Sequence, residues 1–163
     1  MITKLHLSEI CRTHGLVLEK SAPWLDGEIL LKSIATVESS YGLNNIPKYE
    51  KAYDRGGIYY NTTLGMKYGA WAACSYSSWQ IMFPTATELG FTGTPIDLCN
   101  DAIAIYWVIE YIKKRALDKG ATKIQEIYDA FNSGSFRDKF IPTDYIGKCT
   151  DAYIRLKNEQ KEH

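Results

Sequence analysis

Read for the spacing of its apolar positions, the chain is helical almost throughout. Leu30, Ile34, Val37 and Tyr41 recur at offsets of three and four, which is one face of an α-helix. That pattern predicts a helix over 27–41, with Asp26 as its N-cap and Gly42 as its stop. An earlier helix is expected over 3–14, with Leu5, Leu7 and Ile10 inward and Gly15 closing it. The run "AIAIYWVI" is apolar on every side, the mark of a buried central helix. With Asp97 as its cap, that helix is expected over 98–118. "FPTATELG" reads as a short helical segment with Pro84 in its first turn and Gly90 at its end. In "ATKIQEIYDAFNSG", Thr122 and Gln125 form a capping box and Gly134 closes the helix. A last helix over 143–158 sets Ile146, Cys149, Tyr153 and Leu156 on one face, and the charged tail 159–163 is expected to fray.

Between these elements the periodicity breaks. Residues 43–68 carry Asn44-Asn45, Pro47, Gly56-Gly57 and Asn61, all turn signals. A segment of this length without regular structure is uncommon in a compact domain and marks a functional region. A short helix over 48–54 fits within it. "GAWAACSYSSWQIM" is small and aromatic, with no period. No internal repeat and no domain boundary is visible, so the expectation is one mostly α domain over 1–163, with a long buried central helix and an irregular active-site segment.

Glu38 interrupts the apolar pattern. It falls four residues after Ile34 and three before Tyr41, so it shares their inward face. Acids are seldom buried unless paired. Desolvation raises a carboxyl pKa, and the negative end of a helix dipole disfavours a carboxylate. Both effects favour an acid that stays protonated near neutral pH, as a general acid must. The competing reading is a structural one, with Glu38 paired to a buried Lys, Arg or hydroxyl. Glu50 and Asp54, in the turn-rich segment, are candidate partners in catalysis. Their competing reading is a local ion network with Lys48, Lys51 and Arg55.

Composition narrows the field. Nineteen Lys and Arg balance nineteen Asp and Glu, so no basic field recommends nucleic acid as a partner. No apolar run approaches the roughly 20 residues that span a bilayer. The opening "MITKLHLSEICRTHG" has charges and a His where a secretory apolar core would sit, so no signal peptide is expected. Cys11, Cys74, Cys99 and Cys149 form no CxxC pair, which argues against zinc and favours free buried thiols. No cofactor and no metal is expected. Twelve Tyr and four Trp are a rich supply of rings of the kind that line carbohydrate surfaces as well as cores.

Three stretches then resemble one family in order along the chain. "VESSYG" (37–42) resembles the Glu-Ser signature of the lytic transglycosylases and goose-type lysozymes. "SSWQIMFPTATELG" (77–90) is similar to that family's "GLMQ-x-x-P-x-T-A" motif, with Gln80, Thr85 and Ala86 in register and Pro84 one place late. "DAFNSGS" (129–135) resembles its "AYN-x-G" motif through Ala130, Asn132 and Gly134. The resemblance covers about two thirds of the chain and leaves the first and last helices unmatched. It implies a lysozyme-like fold and cleavage of the β-1,4 bond between N-acetylmuramic acid and N-acetylglucosamine in peptidoglycan. It makes Glu38 the catalytic acid and Ser39 a support for the site. Gln80, Phe131 and Asn132 would bind sugar, with Trp79 and Tyr76 as stacking rings and Trp71 as a further candidate. Partners would then be peptidoglycan strands, with no nucleic acid and no membrane insertion. The protein would act on the bacterial wall, in the periplasm, outside the cell or on a virion, as a monomer or within a larger assembly.

The departures matter as well. Ser77 stands where the family opens its motif with glycine, and Phe131 replaces a Tyr whose hydroxyl helps hold the acid. The segment between Glu38 and Gln80 is longer and richer in Tyr. A transglycosylase uses the substrate's acetamido group and leaves an anhydro sugar. An inverting hydrolase needs a second carboxylate roughly 6.5–9.5 Å from the first, and Glu50 or Asp54 would supply it. Two other classes compete: a lysozyme-like module that grips wall without cutting it, in a phage particle or secretion machine, and a chitinase-type hydrolase.

Overall fold

The computed structural model describes residues 4–162, with side chains from His6 onward. Thr3, at the start of the first expected helix, the Leu5 side chain and the tail residue His163 lie outside the described residues. The chain is mostly α-helical. Its helices are α1 (Lys4–Ser21), α2 (Gly27–Ser39), α3 (Thr62–Tyr68), α4 (Phe83–Glu88), α5 (Asp101–Arg115), α6 (Ile124–Ser133) and α7 (Thr143–Lys161). Three short strands, β1 (Lys48–Tyr49), β2 (Cys74–Tyr76) and β3 (Ile81–Met82), form an antiparallel sheet in that order. In register, Lys48 faces Ser75, and Tyr76 faces Ile81. Strands of two or three residues are too short to write a period of two into the sequence.

Gly15 does not end the first helix, which runs on to Ser21. Its reason is packing. A Cβ on Gly15 would collide with the backbone of Gly27 and Glu28, and one on Gly27 with Gly15. The two glycines let α1 and the start of α2 touch backbone to backbone. Asp26 caps α2 as expected, accepting from Ile29 N at 3.1 Å. That helix ends at Ser39, two residues early, because Ser40 and Tyr41 both turn left-handed (φ +51° and +57°).

α5 is the central helix, packed on α1, α4, α6 and β3. It is shorter than expected and begins at Asp101. Residues 95–99 form a 3₁₀ turn in which Asp97 closes a capping box with Thr94, and Asn100 caps α5 instead. Nor is it buried all round: Ala104, Ile105, Val108, Ile109 and Ile112 face the core, while Ile103 and Tyr106 are exposed. At α6 it is Glu126, not Gln125, that reaches back to Thr122 N at 2.7 Å. The tail expected to fray stays helical to Lys161. α7 packs on α2 and α6, and Lys157 is pinned to Asp26 at 2.6 Å.

The irregular segment is only partly irregular. It holds β1, a 3₁₀ turn over Lys51–Tyr53 in place of a helix at 48–54, and α3, capped by Asn61. The core is one continuous cluster that runs from Leu7 through Leu30, Ile34, Trp79, Phe83 and Ile105 to Tyr128 and Cys149. No helix among the described residues is long and apolar enough to cross a membrane. All four cysteines are unbridged, with Cys11, Cys74 and Cys149 buried.

Candidate active site

A groove of about 1010 Å³ runs across the molecule. Its walls come from α2, the segment from β1 to α3, the β2–β3 hairpin, α4, the end of α5 and the α6–α7 loop. Glu38, Glu50, Gln80, Phe131 and Asn132, drawn from distant parts of the sequence, all line it.

Glu38 is the penultimate residue of α2, where four carbonyls lack helical partners. Lys48, on β1, donates to the Glu38 carbonyl oxygen at 2.5 Å, placing a cation at the negative end of the helix. The Tyr145 hydroxyl, from α7, donates to Glu38 Oε1 at 2.8 Å. Burial pushes the Glu38 carboxyl above its ordinary pKa. The Tyr145 hydrogen bond and the Lys48 charge pull it down, and the Glu50 charge pushes it up, with burial winning. The carboxyl thus faces a groove, is held by one donor and keeps its proton to higher pH than a solvated glutamate.

The β2–β3 turn is built with unusual care. Ser77 and Gln80 take left-handed conformations (φ +73° and +51°), which non-glycine residues adopt at a cost. Ser77 thus holds a backbone conformation of the kind glycine favours. The turn is clamped from beneath. Buried Asp101, the first residue of α5, accepts from Ser78 N at 2.8 Å and from the Ser78 hydroxyl. The Ser39 hydroxyl lies 2.7 Å from the Ser78 carbonyl and 3.0 Å from that of Ala35, and accepts from Gly42 N at 2.8 Å. Ser39 therefore ties the end of α2 to the turn and is buried. It braces the end of the helix that carries Glu38 and does not line the groove.

Gln80 lines the groove but is mostly committed. Its amide donates to Ser77 O (2.8 Å) and Ile46 O (3.3 Å), and its Oε1 accepts from the Ser75 hydroxyl (2.7 Å). One lone pair on Oε1 remains for a ligand. Asn132 is the opposite case: exposed in the groove, with no side-chain hydrogen bond among the described residues. Phe131, packed edge-on against Tyr111 with ring centroids 5.7 Å apart, forms apolar wall.

Two expected ring platforms are absent from the groove. Trp79 is fully buried and donates to Leu31 O at 3.0 Å. Tyr76 is buried, with its hydroxyl on Trp71 O at 2.6 Å. Both serve the core, because a strand alternating over two faces sends Tyr76 inward and the turn folds Trp79 under α2. Trp71 is exposed but does not line the groove. Asp54 also lies off the groove, accepting from the Tyr49 hydroxyl (2.7 Å) and from Arg55 N (2.7 Å), which holds its pKa down. Of the two residues expected as alternatives for a second carboxylate, Glu50 lines the groove and Asp54 does not.

Sequence reading missed Tyr53, Tyr59, Tyr60 and Tyr111, Lys48, Arg115, Asp138 and Tyr145. The first three belong to the Tyr-rich excess of residues 43–68, which was a visible signal. Tyr145 gave none, since on α7 it reads as one more core ring. Among the described residues no group of three or more His, Cys, Asp or Glu is placed to hold a metal ion. Comparison with family models, with curated proteins and with solved structures finds no match to this chain.

Proposed function

We propose that the protein is a muralytic glycosidase of lysozyme-like fold that cleaves the β-1,4 bond between N-acetylmuramic acid and N-acetylglucosamine. The observation that carries this reading is Glu38: a half-buried carboxyl with a raised pKa, oriented by Tyr145 on the wall of an extended groove. Glycoside cleavage needs a proton delivered to the leaving oxygen by such an acid. The rest of the groove supports a sugar substrate. Tyr59 and Tyr60 bring aromatic surface to its lining, and the free amide of Asn132 offers both donors and an acceptor for N-acetyl and hydroxyl groups. Glu50, exposed in the same groove and close enough for its charge to act on Glu38, is the candidate base that activates water.

The direct test is clearing of purified cell wall, followed by turbidity and on a zymogram. Glu38→Gln keeps the Tyr145 hydrogen bond and the shape while removing the proton. It should reduce clearing by about 10²–10⁴-fold, the usual contribution of a general acid, with unchanged circular dichroism. A fully active Glu38→Gln protein would end the proposal.

A further inference from the structure

The groove carries a second charged cluster that the proposed proton transfer does not use. Arg115, the last residue of α5, lines it beside Glu88, Tyr111 and Tyr53. Its guanidinium lies over the Tyr111 ring, 5.8 Å from the centroid. Its Nη2 is 3.6 Å from Glu88 Oε2, beyond hydrogen-bond length. Its Nε is buried without a partner. None of its five N–H donors makes a hydrogen bond among the described residues. Lys48, another cation lining the groove, is engaged by the Glu38 carbonyl.

A guanidinium presents a planar fork that fits a carboxylate through two parallel bonds. Glu88 is ion-paired with Arg115 at 3.6 Å but makes no hydrogen bond to it and is largely exposed, so the donors of the fork stay open. Two other carboxylates in the groove, Glu50 and Asp138, would repel an acidic ligand elsewhere along it. Arg115 is thus where an anionic substituent can dock, and the Tyr111 ring keeps the fork from swinging freely.

We infer that Arg115 is a recognition site for a carboxylate carried on the glycan, so that the groove selects acidic, muramyl-type strands over neutral, chitin-type ones. The inference rests on the muralytic reading of the same groove and names the residue that reads the substrate's carboxylate.

The test is calorimetric titration of the full chain in a Glu38→Gln background, with three probes. One is a muramyl–glucosaminyl disaccharide with a free lactyl carboxylate. The second carries a stem peptide on that lactyl group. The third is neutral diacetylchitobiose. Arg115→Gln should weaken at least one acidic probe by about tenfold or more, as expected for losing a charge-assisted pair, and leave the neutral probe unchanged. Which acidic probe weakens tells whether the lactyl or the peptide carboxylate is read. Arg115→Lys should recover only part of the loss, since a point charge lacks the fork. Undiminished binding of both acids, or an equal loss for the neutral sugar, overturns the inference. If the wild type still clears wall, the muralytic reading survives that failure. Should the parent protein bind no probe and the wild type clear no wall, both fall together.

Discussion

The hydroxyl of Tyr145 donates to Glu38 Oε1 at 2.8 Å across 107 residues of chain. Tyr145 belongs to the last helix, which no sequence motif reaches. Phe131, in the groove wall, carries no hydroxyl to offer Glu38. The hydroxyl that meets the Glu38 carboxyl comes from α7, and the packing of α7 on α2 brings it within reach.

This bond sets a pH prediction. A hydrogen bond to the charged carboxylate favours that form and lowers its pKa. In the proposed role Glu38 acts while protonated, so activity should decline as pH rises through its pKa. Tyr145→Phe removes a lowering influence, leaving burial less opposed. The basic limb of the pH–rate profile should move to higher pH, and the maximal rate should drop roughly tenfold as orientation loosens. A profile unmoved by Tyr145→Phe would show that another group governs that limb.

Glu38 also leaves a mark on stability. Its folded-state pKa lies above the unfolded value, because burial dominates. Between the two values the folded state holds the proton more tightly, so stability falls as pH rises through that window. Glu38→Gln has no proton to lose and keeps the acceptor for Tyr145. At neutral pH the Gln variant should melt above the wild type. Below the unfolded glutamate pKa the gap should close. Melting curves of both proteins across pH 3–8 check this, and a gap that widens toward acid would contradict it.

Much of the helical plan was legible in the sequence because amphipathic faces and caps are local signals. Asp26, Pro84, Gly90 and Gly134 punctuate the chain as their chemistry dictates. Gly15 misled, because a glycine used for backbone contact between helices looks the same in sequence as one used to stop a helix. Glu38 stood out since a lone acid on an apolar face is anomalous in one dimension. Trp79 and Tyr76 looked like sugar platforms, but nothing local tells a buried ring from a groove ring. Tyr145, Lys48 and Arg115 reach the groove only through long-range packing, and no spacing rule encodes that.

The turn that carries Gln80 supplies a backbone prediction. Ser77 is fully buried with φ +73°. Ser77→Gly removes a left-handed cost of about 1–2 kcal/mol. It also loses the weak 3.3 Å bond that the hydroxyl accepts from Trp79 N and adds unfolded-chain entropy. The net change should stay under about 1 kcal/mol. Ser77→Val sets a β-branched residue in the same conformation and should cost about 2 kcal/mol or more. Denaturant titration decides. A glycine variant as unstable as the valine one would mean that the hydroxyl, not the backbone, sustains the turn.

Glu50 separates the two chemistries that one acid permits. It lines the groove with Glu38, whereas Asp54 is engaged by Tyr49 and Arg55 away from it. With Glu50 as the base for water, wall digests should carry reducing ends, seen by mass spectrometry of the released muropeptides. Glu50→Gln should then lower the rate by about 10²-fold or more, while Asp54→Asn stays within about twofold, as for a side chain that does not line the groove. The pH profile gives an independent reading. The Glu50 charge pushes the Glu38 pKa up, so its removal should move the residual basic limb to lower pH, opposite to Tyr145→Phe. Anhydro ends with a Glu50→Gln protein of near-normal rate would exclude Glu50 as base and assign the second step to the substrate's own acetamido group.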